Sequence, residues 1–406
     1  IILKLVDQSQ FLKSYPCLSK SNLLYILYEI MTKDILFVFG TRPEAIKLAP
    51  VIKALRESTK LNSIVCVTGQ HKEMLEQMLD IFEISPHYDL EAMEEDQSLA
   101  GLSSRLIEKL DSVMKDRKPH MTVVQGDTTS CFVGGLVSYY HRIPVAHVEA
   151  GLRSGDKFDP FPEEINRSLT DSLTDLYFAP TERNKKNLYR EGVVKDKIHV
   201  TGNTVIDTLF DTTSLIEDGK IKIDLPAELK SKNLQDIILV TAHRRESFGK
   251  GLKNICEALK RLAELHPSYH IIYPVHLNPN VRSKVHSTLR NLENVILTDP
   301  LGYPEFVWLM NRAKLVLTAS GGIQEEAPSL ETPVLVMRKK TERKEALEAG
   351  TIELVGVSSD RIVDRAVEYL SDSDLRRKMS KKVNPYGDGK ASDRIIRELT
   401  NFLYEY

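Results

Sequence analysis

This chain of 406 residues lacks most of the features that would announce a specialised chemistry. Its four cysteines (Cys17, Cys66, Cys131, Cys256) are scattered, with no Cys-x-x-Cys pair. That excludes a disulfide framework or a cysteine zinc site, and fits reduced thiols in a cytoplasm. Neither sign of charge dominates: 55 Lys+Arg against 57 Asp+Glu give a net charge of −2, so there is no electrostatic footprint for a nucleic acid. No apolar run approaches the roughly 18–20 residues that span a bilayer, so no membrane partner is expected. A dinucleotide fingerprint, metal-ligand spacing, short internal repeats and low-complexity tracts are also missing. No metal, nicotinamide or other cofactor is expected.

What remains is an ordinary globular composition, 42% hydrophobic and 28% charged. The chain is too long for one core, and its length suits two domains or three. In residues 1–30 the apolar stretch Leu23 to Ile30 is broken by Glu29, and no small-residue cleavage site follows. This segment reads as upstream sequence or a loosely held extension ahead of Met31. From there strands and helices alternate. ILFVF (35–39), SIVCVT (63–68), MTVVQ (121–125), 144–148, YFAP (177–180) and IHVTG (198–202) read as strands. Helices are expected over 43–57, 71–82, 98–116, 128–140 and 163–174, and 211–235 reads as a connection. A second series of strands follows at 236–243, 269–276, 294–300, 314–320, 333–337 and 352–355, and helices at 372–382 and 390–405 close the chain. Strands that are apolar throughout and separated by helices indicate parallel sheets covered on both faces. The expected fold is α/β, two Rossmann-like doubly wound domains (31–205 and 206–388) facing a cleft, with 389–406 as a final helix.

Asp127 and Glu149 close the strand segments MTVVQGD and PVAHVEAG, and Glu163 opens the next helix. In an open α/β sheet the carboxyl ends of the strands form the ligand crevice, so these side chains face substrate rather than core. With no metal or dinucleotide signal beside them, the trio points to acid–base chemistry done by side chains alone. A plainer role for Asp127, capping the helix that begins at Thr128, stays open at this stage.

Two segments suit an anionic ligand. FGTRPEAIK (39–47) is a strand, a glycine turn and a helix start whose N-terminus offers free backbone N–H groups, with Arg42 and Lys47 nearby. SGGIQEEAPSL (320–330) has Gly321 and Gly322, which let the backbone approach a phosphate, and Glu326, placed to accept from ribose hydroxyls. AHRRESFG (242–249) brings His243 to another strand end facing the same crevice, with a solvated basic loop as its plainer reading.

Together with TGQHKEML, GDTTS, HVEAGLRSGD, FPEEINR, TGNTVID, YPVHLNPNVR, TERKEALEAGT and NPYGDG, these segments resemble the non-hydrolysing UDP-N-acetylglucosamine 2-epimerases, in order over almost all of 34–400. The resemblance implies a GT-B-like pair of Rossmann-like domains with the last helix packed back on the first. It also implies a homodimer that interconverts UDP-GlcNAc and UDP-ManNAc without a cofactor. It assigns Arg42, Lys47, Asp127, Glu149, Glu163 and His243 to the catalytic cleft. Ser320, Gly321, Gly322, Glu326 and Arg343 fall at the positions that hold UDP, and Phe306 at the uracil end. Bacterial members bind a second UDP-GlcNAc as activator, a site carried over to Gln70, His71 and Gln97. The chain departs from the pattern at Ala319, usually Asp, and at Leu301, often Gln. In the activator site Asp96 replaces an arginine and Glu73 stands where Gln is common.

The implied chemistry is elimination and re-addition. C2 of the sugar is not adjacent to a carbonyl, so a carboxylate cannot remove its proton unaided. Breaking the C1–O bond first makes an oxocarbenium-like centre that acidifies it. UDP then leaves, a 2-acetamidoglucal remains, and return of UDP with a proton on the opposite face inverts C2. Two faces need two proton-handling groups, or one that moves, while Arg42, His243 and the 320–322 amides stabilise the leaving diphosphate. Three alternatives stay open: a hydrolysing epimerase that releases ManNAc and UDP, a GT-B glycosyltransferase, and a UDP-sugar sensor without turnover.

Overall fold

The computed structural model describes residues 32–69, 72–94, 97–242 and 250–405, the side chains of 72–74 and 405 excepted. The expectation for residues 1–30 lies outside them. Strands β1 (Lys33–Phe39), β2 (Leu61–Val67), β3 (Tyr88–Asp89), β4 (Met121–Gln125), β5 (Val145–Val148), β6 (Leu176–Ala179) and β7 (Ile198–Val200) form one parallel sheet, ordered β3-β2-β1-β4-β5-β6-β7. Strands β8 (Ile237–Thr241), β9 (His270–Pro274), β10 (Val295–Thr298), β11 (Ala313–Thr318), β12 (Val334–Val336) and β13 (Glu353–Leu354) form the second, ordered β10-β9-β8-β11-β12-β13. Ile35 to Phe39 and Ile237 to Val240 are wholly buried, as expected where helices cover both faces of a parallel sheet. The fold is therefore α/β with two doubly wound, Rossmann-like domains. Strand order reverses between β1 and β4 in one sheet and between β8 and β11 in the other. At such switch points the chain ends splay apart and leave a crevice.

Helix Arg42–Arg56 leaves β1 through a capping box: Thr41 accepts from Glu44 N, and the Glu44 side chain accepts from Thr41 N. The segment expected as a connection from residue 211 is helical as far as Glu217. Helix Thr204–Glu217 forms because Val205, Ile206 and Leu209 give it an apolar face, and Asn203 caps its start. β3 is only two residues long, too short for an alternating pattern to reveal it.

That helix is the joint of the molecule. One continuous apolar cluster runs from Phe37 and Phe39 of the first sheet through Ile206 and Leu209 to Tyr303 and Val307 of helix Tyr303–Arg312, and on to Ile237 and Leu239 of the second sheet. The last helix, Ala391–Glu405, packs on helices Arg42–Arg56 and Thr204–Glu217, burying Ile395 and Leu399. Its start is fastened by Asp207, which accepts from Ala391 N at 3.2 Å and Ser392 N at 2.8 Å. Among the described residues no helix is long and apolar enough to cross a membrane.

Candidate active site

The turn after β4 brings Asp127 to the first switch point. Gly126 has φ 75°, a left-handed conformation that glycine adopts without penalty. Thr128, not Asp127, caps the helix that follows, accepting from Cys131 N at 3.1 Å. The Asp127 carboxylate is thus released from the capping role and takes an ion pair from Arg167 at 2.6 Å, with its side chain still 30% exposed. Burial pushes its pKa above the ordinary value; Arg167 opposes this, while the charges of Glu149 and Glu163 push it further. Glu163 begins helix Glu163–Leu173 as expected, close enough for its charge to act on Asp127.

Glu149 is held very differently. It leaves β5 at φ 70°, a conformation that strains a non-glycine residue by about 1–3 kcal/mol. Two amides, Glu149 N and Ala150 N, share Phe178 O at 3.1 Å and keep the turn in place. Its side chain is 6% exposed and ion-paired to Lys47. Lys47 and Gln125 donate to Oε2, and Asn203 donates to Oε1 at 3.1 Å. Burial alone would raise its pKa, but Lys47 and Arg343 outweigh that and hold Glu149 below the usual carboxylate range. The two strand-end carboxylates are therefore unlike: one fixed and ionised, one partly open with a raised pKa.

The start of helix Arg42–Arg56 requires a correction. The amides leading into it are not free for an anion, because Glu44 Oε2 accepts from Gly40 N at 3.0 Å and Thr41 N at 2.8 Å, and Glu44 N donates to Thr41 Oγ1 at 3.4 Å. Glu44 Oε1 also accepts from Thr128 Oγ1 at 2.7 Å, so one buried carboxylate joins the two helix starts. The helix start presents the Arg42 side chain instead. Burial lowers its pKa, and the charge of Glu326 in the second domain opposes this.

At the second switch point Ser320 N donates to Thr318 Oγ1 at 2.9 Å, and Gln324 Nε2 donates to Ser320 O at 2.8 Å. Helix Gly321–Glu326 follows. A Cβ at Gly322 would lie 3.3 Å from Glu326 Oε1, so glycine leaves room for that carboxylate. Tyr303 donates to Glu326 Oε2 at 3.1 Å. Burial, reinforced by Glu325 and opposed by the Tyr303 hydrogen bond, takes the Glu326 pKa to about 7. Phe306, on the same helix as Tyr303, packs partly buried against the core. Arg343 pairs with buried Glu325, and Glu325 accepts from Asn203 at 2.7 Å.

Asp127, Glu149, Glu163, Lys47, Arg42, Glu326 and Arg343 thus come together, joined by bonds or by charges that act on one another. His243, Gln70 and His71 lie outside the described residues. Gln97 is bound locally, its Oε1 accepting from Glu94 N at 3.1 Å and from Arg105. Sequence reasoning passed over Arg167, Gln125, Asn203, Glu44 and Glu325. All five stand inside quoted segments, but apart from Glu44, three residues after Thr41, no spacing marks them. Among the described residues no group of His, Cys, Asp or Glu is arranged to hold a metal ion. The site offers fixed anions, a protonatable carboxylate and arginines from both domains, suited to moving a proton beside an anionic leaving group.

Comparisons with known proteins identify the family. The family model described as UDP-N-acetylglucosamine 2-epimerase matches residues 53–400. A UDP-N-acetylglucosamine 2-epimerase of Yersinia pestis is 50% identical over 372 residues, 90% of this chain and 98% of that protein. The crystal structure of UDP-GlcNAc 2-epimerase from Neisseria meningitidis bound to UDP-GlcNAc superimposes with a TM-score of 0.85 at 45% identity, covering 91% of this chain and all of that one. The S. aureus MnaA–UDP structure gives 0.81 at 43% identity over 92% of this chain and 97% of that one. On the strength of both sequence and fold, the chain belongs to the UDP-N-acetylglucosamine 2-epimerase family.

Proposed function

We propose that this protein interconverts UDP-GlcNAc and UDP-ManNAc by the non-hydrolysing route, through a 2-acetamidoglucal. The observation that carries the reading is the contrast between Asp127 and Glu149. Asp127, partly open and with its pKa raised, accepts the C2 proton as the C1–O bond breaks. The C2–H electron pair becomes the C1–C2 double bond, and UDP leaves with the C1–O pair. Glu149, held ionised by Lys47 and its amide donors, stabilises positive charge at C1. Glu163 serves the opposite face when UDP and a proton return. Arg42, Arg343 and His243 meet the diphosphate, the backbone of Ser320, Gly321 and Gly322 supports it, Glu326 takes the ribose and Phe306 the uracil.

The reading includes a cytoplasmic homodimer. Phe161, Ile165 and Leu169, at four-residue spacing, leave an apolar stripe exposed on and just before helix Glu163–Leu173, the kind of surface that marks a partner. Incubation with UDP-GlcNAc in D2O, followed by NMR, tests the reaction. UDP-ManNAc carrying deuterium at C2 is the expected product. Free ManNAc would show hydrolysis, and unchanged substrate would leave a sensor or a transferase.

A further inference from the structure

Asn203 sits where the two domains meet and touches both. It is 2% exposed, and its Oδ1 accepts from Val205 N at 3.2 Å, capping helix Thr204–Glu217. Its backbone N donates to Tyr386 O at 2.6 Å, which fixes the residue from the other side. With Oδ1 turned to the helix, both Nδ2 protons point away from it, and both meet carboxylates. Glu149 Oε1 lies at 3.1 Å and Glu325 Oε2 at 2.7 Å. Glu149 belongs to the first switch point. Glu325 belongs to the helix after β11 and is paired with Arg343. One amide therefore completes a chain across the cleft: Lys47, Glu149, Asn203, Glu325, Arg343.

We propose that Asn203 is a positioning residue for the reaction: its side-chain amide orients the Glu149 carboxylate and ties it to the arm that carries Arg343. Glu149 is then correctly set only when the two domains hold this arrangement. The inference rests on the proposed function above. Capping does not by itself require asparagine, because Ser and Asp cap about equally well. Donating to two buried carboxylates while accepting from a helix start does require a primary amide. A neutral donor between two anions also relieves their repulsion without adding a charge to a crowded site. The charged groups acting on Glu149 are Lys47 from helix Arg42–Arg56, Arg167 from helix Glu163–Leu173 and Arg343 from the loop before helix Lys344–Ala349, with Asp127 and Glu325 opposing them. Among the described residues, Asn203 is the donor to its Oε1.

Two replacements that keep the cap separate positioning from simple structure: Asn203→Ser, which cannot bridge, and Asn203→Asp, which sets a third carboxylate between Glu149 and Glu325. Both are made in the full chain and assayed with UDP-GlcNAc. The expected result is a fall in kcat of about 10²-fold, the scale of a misplaced reacting group, with UDP affinity by calorimetry changed by less than about threefold. The acid limb of the kcat/KM profile, set in the parent by Asp127, steepens and moves to higher pH as the Glu149 pKa rises to join it, further for Asn203→Asp than for Asn203→Ser. Loss of a donor and arrival of a negative charge both favour protonated Glu149. Thermal melts monitor folding, and neutral Asn203→Ser carries the test if Asn203→Asp melts early. Near-parental rates with an unmoved acid limb would overturn the inference and leave the proposed function standing. A parent protein that releases no UDP-ManNAc would overturn both.

Discussion

Replacing Glu326 by glutamine should make the ligand-free protein more stable at pH 8 while weakening its hold on UDP-sugar. The Glu326 carboxyl is buried, and its pKa moves from the ordinary 4.5 to about 7. Between those values the folded state holds a proton that the unfolded state has lost. Stability therefore falls as pH rises across the window, and the full penalty is present above pH 7. A shift of that size corresponds to about 3 kcal/mol, each unit contributing about 1.4. Glutamine has the shape of the protonated acid, and its amide oxygen can still accept from Tyr303, so Glu326→Gln removes the penalty without leaving a cavity. At roughly 2–4 °C per kcal/mol for a domain of this size, the melting transition of the second domain should rise by about 6–12 °C at pH 8. At pH 5 the parent is already mostly protonated in the folded state, so the two proteins should melt much closer together. Differential scanning calorimetry at the two pH values measures this directly. A variant less stable than the parent at pH 8, or a gain of equal size at pH 5, would refute the argument. The KM for UDP-GlcNAc should rise in the same variant, because its acceptor for the ribose has lost its charge.

The other predictions concern the acid–base pair, the final helix and the exposed stripe. Asp127→Asn and Glu149→Gln should each lower turnover by about 10²-fold or more, but only Glu149→Gln should destabilise strongly, by about 3 kcal/mol in urea unfolding, because it leaves Lys47 without its buried partner. Equal stability losses in the two would contradict the distinction drawn between them. Asp207→Ala removes the acceptor for the Ala391 and Ser392 amides and should cost about 1–2 kcal/mol, with faster amide exchange concentrated in residues 391–405; exchange unchanged there would show that apolar packing alone holds the helix. Leu169→Glu, on the exposed stripe, should convert a dimer to a monomer in light scattering, whereas a variant of unchanged mass would place the dimer contact elsewhere.

Much of the architecture was legible because both sheets are covered on both faces. Ile35 to Phe39 and Ile237 to Val240 read as unbroken apolar runs for the same physical reason that they are buried. The expected strands all appear, with ends shifted by a residue or a few. Helix Thr204–Glu217 was partly mistaken for a connection because its second half, DTTSLIE, carries threonines and acids that weaken the apolar pattern. It is helical because its first half is clamped between two domains, a tertiary effect that local propensity does not register. The short strand β3 was hidden for the opposite reason, since two residues carry no period.

The site was legible in its charged strand ends and illegible in what holds them. Asp127 and Glu149 stand out because a carboxylate at the end of an apolar strand has few structural uses, and Glu163 because it opens the helix that follows them. At the segment holding Arg42 and Lys47 the backbone amides were expected to be open, but those of Gly40 and Thr41 are taken by Glu44. The sequence could have warned of this, since Thr41 followed three residues later by Glu44 is a capping box. No such signal exists for Asn203 or Glu325. Asn203 looks like any helix cap, and its second function depends on Glu149, 54 positions away, and Glu325, 122 positions away, meeting at one amide. Contacts of that separation are fixed by how two domains face each other, which no local pattern encodes. The same reasoning explains why Glu149 and Asp127 look alike in sequence yet differ in the structure. Their pKa values move in opposite directions because Lys47 and Arg343 reach one of them from other elements, while the other, among the described residues, has its ion pair with Arg167. A carboxylate's role in this cleft is decided by its donors.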